Sequence, residues 1–241
     1  YYWGSSAYFN YANPEASLTI QQSNITHNFL GSANFSYLIY KGLKAKVAFA
    51  YDNQSYDAES QFPSTAVNPY NPVEPGSSSS FGNFTSLNFE PQLTYSGKIS
   101  KGTIDALLGS TWFKNTSTSK SLDLTGYPGD DFMGSWDFAN TMIYKSSSRG
   151  ETRFRSYFAR VNYNWDTKYI LNLSYRKDGS SKFGPNYKWG DFGAVGAAWV
   201  FSNESFVKNA LPFLNFGKLR ASYGLTGNDQ IADYQYLNLY S

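Results

Sequence analysis

The chain has 241 residues, no cysteine, 19% aromatic residues and a formal net charge of +2. That charge is too small to argue for nucleic acid, the missing thiols remove disulfide frameworks and thiolate metal centres, and the aromatics exclude a disordered chain. Mean hydropathy is −0.47, and no run approaches the ~18 apolar residues of a transmembrane helix. Abundant aromatics with low mean hydropathy are what a membrane β-barrel predicts, because only alternate strand residues meet lipid.

From the N-terminus, residues 1–25 are mixed, with a strand expected around Tyr8–Tyr11. Asn28–Tyr40 alternates, with Gly31, Ala33, Phe35, Tyr37 and Ile39 on one face, and Lys41-Gly42 signals a tight turn. Leu43–Tyr51 alternates again, before residues 52–82, rich in Pro, Asn and Ser, read as a loop. A second pair is expected at Asn83–Ile99 and Thr103–Asn115 around Ser100-Lys101-Gly102. Pro91 inside it suits an edge or a bulge. Residues 116–151 read as another long polar loop.

The third pair, 152–165 and 169–178, carries the strongest signal. Tyr157, Ala159, Val161, Tyr163 and Trp165 share one parity, and Arg160, Asn162 and Asn164 the other. After Asp166-Thr167-Lys168 the apolar set is Tyr169, Leu171, Leu173 and Tyr175, against Asn172, Ser174, Arg176 and Asp178. Period-2 alternation makes one face apolar and the other polar. Aromatics at both ends of the apolar face suit a lipid-facing surface with interfacial belts. A loop at Gly179–Tyr187, a strand at 188–201, one or two helical turns within 202–216 and a strand at Gly217–Gly227 complete eight strands, and Tyr236–Ser241 could belong to another. Connections alternate short and long, as in outer-membrane barrels with short periplasmic turns and long outer loops. The abrupt first and last residues, without a signal peptide, read as an internal section of a larger protein.

Ser156-Tyr157-Phe158-Ala159-Arg160-Val161-Asn162-Tyr163, Lys168-Tyr169-Ile170-Leu171 and Arg176-Lys177-Asp178-Gly179-Ser180-Ser181-Lys182-Phe183-Gly184-Pro185 follow one another in an informative order. With Trp189-Gly190-Asp191-Phe192, Phe201-Ser202-Asn203-Glu204 and Lys218-Leu219-Arg220-Ala221-Ser222-Tyr223-Gly224-Leu225-Thr226-Gly227-Asn228, they closely resemble the SusC/RagA family of TonB-linked outer-membrane proteins. The likeness covers residues 154–234, and residues 1–153 fit it generically as barrel strands with variable outer loops. The resemblance implies an all-β antiparallel section, about eight strands of a barrel of about 22 with a plugged lumen. It implies the bacterial outer membrane and import of oligosaccharides or peptides, with a SusD-type surface lipoprotein and TonB as partners. On this reading residues 1–241 are one barrel section without the plug domain or the TonB box.

Candidate sites follow from the pattern. Arg160, Asn162, Asn164, Asn172, Ser174, Arg176 and Asp178 form a lumen-facing polar patch, which meets solute or plug or is a solvated wall with cross-strand pairs. Loop aromatics Tyr127, Phe132, Trp136 and Phe138 could cover apolar sugar faces, or pack the loop on its neighbours. Asp123, Asp130 and Asp131 lack calcium-loop spacing, so no metal is expected. Asp178–Pro185 lacks the order of a phosphate loop, and no cofactor is expected. His27, at an expected strand start, is the single histidine, and no carboxylate pair stands out, so the chain is not read as an enzyme. The seven N-x-S/T sequons, Asn34-Phe35-Ser36 among them, arise by chance in an Asn- and Ser-rich chain and are not read as glycosylation. The competing readings are a siderophore-type receptor or passive porin, and a soluble carbohydrate-binding β-sandwich that would bury its aromatic faces.

Overall fold

The computed structural model describes residues 14–69, 72–183 and 188–227. The strand expected around Tyr8–Tyr11, any strand at Tyr236–Ser241 and residues 184–187 of the expected loop lie outside them. Eight strands form one antiparallel-paired sheet in chain order: β1 Gln21–Tyr40, β2 Leu43–Phe62, β3 Gly76–Ile99, β4 Gly102–Thr125, β5 Thr141–Trp165, β6 Tyr169–Ser180, β7 Trp189–Trp199 and β8 Leu219–Leu225. Two short helices, α1 Pro14–Ser17 and α2 Ser205–Ala210, accompany them.

Several expected boundaries are corrected. The loops expected at 52–82 and 116–151 shrink to the connections 63–75 and 126–140, because β2, β3, β4 and β5 run 20 to 25 residues. Asp123 accordingly lies in β4 rather than in a loop, and His27 sits inside β1 rather than at its start. Pro91 lies within β3, an interior strand between β2 and β4, and not at an edge. A 24-residue ladder tolerates losing the one hydrogen bond that a missing N–H removes.

The tight turns are where the sequence puts them. Gly42 has φ +84, a left-handed conformation open to glycine, and an added Cβ would collide with the Ser96 carbonyl. Asp166 (φ 52) and Thr167 (φ 55) are both left-handed, as a two-residue turn between twisted strands requires. Lys168 N–H donates to the Trp165 carbonyl at 3.0 Å and closes that turn.

The chain divides into two compact units. One comprises residues 1–30, 52–85 and 116–150. Here side chains bridge the ladders: Asn53 Nδ2 donates to Thr85 Oγ1 at 3.0 Å, Tyr56 and Ser119 share a 3.0 Å hydrogen bond, and Lys145 pairs with Asp123 at 3.0 Å. Leu122, Leu124 and Met133 are its buried apolar side chains together with Ala16 and Ala66.

The other comprises 31–51, 86–115 and 151–241. Its register aligns the apolar parity across four strands. Trp165 faces Tyr169, which faces Trp199, which faces Leu219; Val161, Leu173, Val195 and Tyr223 form another such row. Leu171, Leu173, Val195, Tyr223 and Leu225 are 42–71% exposed. A β-sandwich would bury this face against a second sheet. The described strands form only one, and among the described residues of this unit only Val200 and Val207 are buried apolar ones.

Beyond β7 the chain folds back on the β5–β6 turn. Val200 N–H donates to the Lys168 carbonyl at 2.7 Å, and Asn203 Nδ2 to the Thr167 carbonyl at 2.9 Å. Glu204 gathers Tyr169 Oη (2.7 Å), Trp199 Nε1 (3.3 Å) and Lys168 Nζ (3.1 Å). The Tyr169 hydroxyl, then the Lys168 ammonium, hold the Glu204 carboxyl below its ordinary value. Glu204, then Asp166, raise the Lys168 ammonium.

Candidate functional site

The polar parity of β5 and β6 forms a contiguous face. Asn162 lies opposite Asn172, Arg160 opposite Ser174, Phe158 opposite Arg176 and Ser156 opposite Asp178. Arg176 Nε reaches both Asp178 oxygens at 2.6 and 2.9 Å, an i,i+2 pair that strand geometry puts on one face. The Arg176 guanidinium also lies 5.8 Å from the Phe154 ring centroid and 5.9 Å from that of Phe158. The Oδ1 atoms of Asn162 and Asn164 are shielded from solvent and accept no hydrogen bond among the described residues. On β7 and β8 the same face carries the small residues Gly196, Ala194, Ala198, Ser222 and Gly224, with Phe192 opposite Arg176 and Arg220 opposite Ala198. Such a face offers hydrogen bonds to a polar solute and supplies no nucleophile–base pair.

The loop aromatics lie in the unit containing residues 116–150. Tyr127 Oη and Ser77 Oγ are 2.8 Å apart, Phe132 packs edge-on against Phe138 at 4.9 Å, and Trp136 lies 6.1 Å from Phe81. Asp130, weighed for metal binding, instead accepts from Ser64 N–H at 2.9 Å and Ser64 Oγ at 2.7 Å, tying together the two long connections. Phe132, Trp136 and Phe138 remain 41–50% exposed while packed. His27 lines a separate cavity with Tyr56 and Phe81.

A third group escaped the sequence reading. Lys114, Arg153, Arg155 and Lys188 line one cleft of about 360 Å³ with Trp112 and Trp189. Arg153 and Arg155 share the parity of Tyr157, immediately beyond the apolar run, so extending the alternation by four residues would have exposed them.

A single antiparallel sheet, apolar and exposed along one parity and polar along the other, is a section of an all-β barrel. No family model matches the chain. Among curated proteins, TonB-dependent receptor P39 of Formosa agariphila is 46% identical over 86 residues, 36% of this chain and 8% of that protein. TonB-dependent receptor P26 of the same organism is 29% identical over 239 residues, 93% of this chain and 23% of the relative. TonB-dependent receptor SusC of Bacteroides thetaiotaomicron is 33% identical over 112 residues, 44% and 11% respectively. The chain thus spans less than a quarter of these relatives' lengths. A solved RagAB peptide transporter superposes with a TM-score of 0.83 at 23% identity over 94% of this chain and 25% of that one, a likeness of fold. The chain is homologous to TonB-dependent receptors, SusC among them, and its fold resembles that of the solved RagAB transporter. These relatives are named as receptors and transporters, not as enzymes.

Proposed function

We propose that residues 1–241 form one section of the barrel of a TonB-dependent importer in a bacterial outer membrane, taking up oligosaccharides or peptides beside a SusD-type lipoprotein. The observation that carries this reading is the apolar face of β5–β8. Its rows run from Trp165, Tyr169 and Trp199 through Leu171, Leu173 and Val195 to Tyr175, opposite Ala159, and then Tyr157, opposite Lys177. In hydrocarbon every backbone N–H and C=O must be paired within the protein, and paired antiparallel strands do this while alternate side chains meet lipid. The aromatic rows then lie at the two headgroup levels.

On this reading Arg160, Asn162, Asn164, Asn172, Arg176 and Asp178 face the lumen and meet solute or plug. Phe132, Trp136 and Phe138 border the route of substrate at the outer mouth, with Tyr127 holding their loop. Energy relayed by TonB enters through parts of the importer outside this section.

The test is uptake by cells of the source bacterium with and without the intact receptor, using fluorescent oligosaccharides and oligopeptides too large for passive pores. Uptake of one of these classes that disappears on deletion and on collapse of the proton-motive force is the expected result. Uptake that persists after both treatments contradicts the importer.

A further inference from the structure

The apolar parity of β5 does not end in neutral polar residues. Two and four positions beyond Tyr157 come Arg155 and Arg153, and with Lys114 and Lys188 they line the cleft beside Trp112 and Trp189. We propose that this cleft binds the phosphate of a lipid in the outer leaflet, an inference that rests on the membrane reading above.

Depth and charge both support it. Eight residues separate Trp165 from Tyr157, about 26 Å along a strand and about 20 Å of depth at a barrel tilt near 40°. Arg155 and Arg153 lie a further ~5–10 Å out by the same rise and tilt, where lipid phosphates begin. Tyr157, two residues nearer the apolar run, stacks on Trp189 of the Arg155 row with ring centroids 6.1 Å apart. The four cations that line the cleft face a single neighbouring carboxylate, Glu151, which pairs with Arg153 at 2.6 Å and Lys114 at 3.3 Å. Among the described residues no carboxylate pairs with Arg155 or Lys188. Lys177, on the same parity level with Tyr157, is by contrast neutralised by Asp191 at 3.2 Å. Of the cations at this end of β5–β7, Arg155 and Lys188 in the cleft therefore carry unpaired charge and Lys177 does not.

The cleft is also built. The Arg155 guanidinium lies 5.2 Å from the Trp112 ring centroid, which fixes its plane and leaves its N–H edge for a bidentate phosphate. Arg153 N–H donates to Ser181 Oγ at 2.9 Å and Ser181 N–H to the Arg153 carbonyl at 2.9 Å, holding the rim beside Lys188. Apolar Leu87 and Trp112 in the same lining suit the start of acyl chains.

The experiment uses the full-length receptor in phosphatidylcholine nanodiscs, probed with bisphosphorylated lipid A and its phosphate-free counterpart by native mass spectrometry. The expected result is selective retention of the phosphorylated lipid. Arg155→Gln and Lys188→Gln should each weaken it about fivefold, the effect of one cation near an anionic surface, and Lys101→Gln in the β3–β4 turn should not. Equal retention of both lipids, or retention unchanged by the two cleft variants, overturns the proposal. Competition by inorganic phosphate at the lipid's own concentration also overturns it, assigning the cleft to soluble anions. Recovery in the disc fraction is read separately: a receptor that stays out of the discs fails the membrane reading, and one that enters them without lipid selectivity fails this inference alone.

Discussion

β6 and the neighbouring part of β5 differ sharply from the strand segments at 52–62, 76–85 and 116–125, although all are paired in the same sheet. At 157–165 and 169–175 apolar and polar residues alternate except at Phe158 and Ile170, and Tyr157, Trp165, Tyr169, Leu171, Leu173 and Tyr175 are exposed. At 116–121 the sequence is Thr-Ser-Thr-Ser-Lys-Ser, polar on both faces, and hydrogen bonds such as Tyr56–Ser119 and Ser121–Ser146 cross the ladder. The backbone is equally regular in both. On the proposed reading the difference is the solvent each face is made for, lipid on one side in the first case and water on both sides in the second.

That contrast explains what the sequence disclosed. The hairpins around Gly42, Lys101 and Asp166-Thr167 were legible because alternation and turn chemistry agree. The outward continuations of β2, β3, β4 and β5 were not, since Ser/Asn/Thr runs without an apolar parity look like loops. The pairing that holds them as strands is non-local. The polar face of β5 and β6 was readable residue by residue; the cleft formed by Lys114, Arg153, Arg155 and Lys188 was not, because it draws on two strands, β4 and β5, and the approach to a third, β7.

The largest expected effect separates the two kinds of surface at a single step along β6. Leu171→Arg should destabilise the bilayer-embedded barrel by about 2–4 kcal/mol, whereas Asn172→Arg should stay within about 0.5 kcal/mol. Equilibrium urea unfolding of the receptor from vesicles measures both. Similar costs at the two positions would erase the comparison.

A smaller effect concerns the end of β7. Because the folded Glu204 carboxyl is held below its ordinary value, its contribution to stability is complete above that value and is lost as pH falls through the lowered one. Lys168, raised, contributes fully below its ordinary value and loses this as pH rises through the raised one. Glu204→Gln should therefore flatten the acid limb of a Tm-against-pH curve, and an unchanged limb would remove Glu204 from the account.

Smaller still for global stability is Asp130→Ala, which frees Ser64 and unties the connections 63–75 and 126–140. Limited proteolysis should cut within 126–140 faster while the unfolding midpoint holds. The smallest effect is Asp123→Asn: its pair with Lys145 is solvent-accessible, and exposed pairs contribute ~0–1 kcal/mol.

The alternation itself is most directly tested by single cysteines placed one at a time at 157–164 and 169–176 of the full-length receptor, labelled in membranes with a water-soluble thiol reagent. The chain supplies no competing thiol. Labelling at Arg160→Cys, Asn162→Cys and Asn172→Cys, with protection at Val161→Cys, Tyr163→Cys and Leu171→Cys, is the pattern a lipid-facing wall predicts. Labelling that ignores parity, in a protein recovered from the soluble fraction, would contradict it.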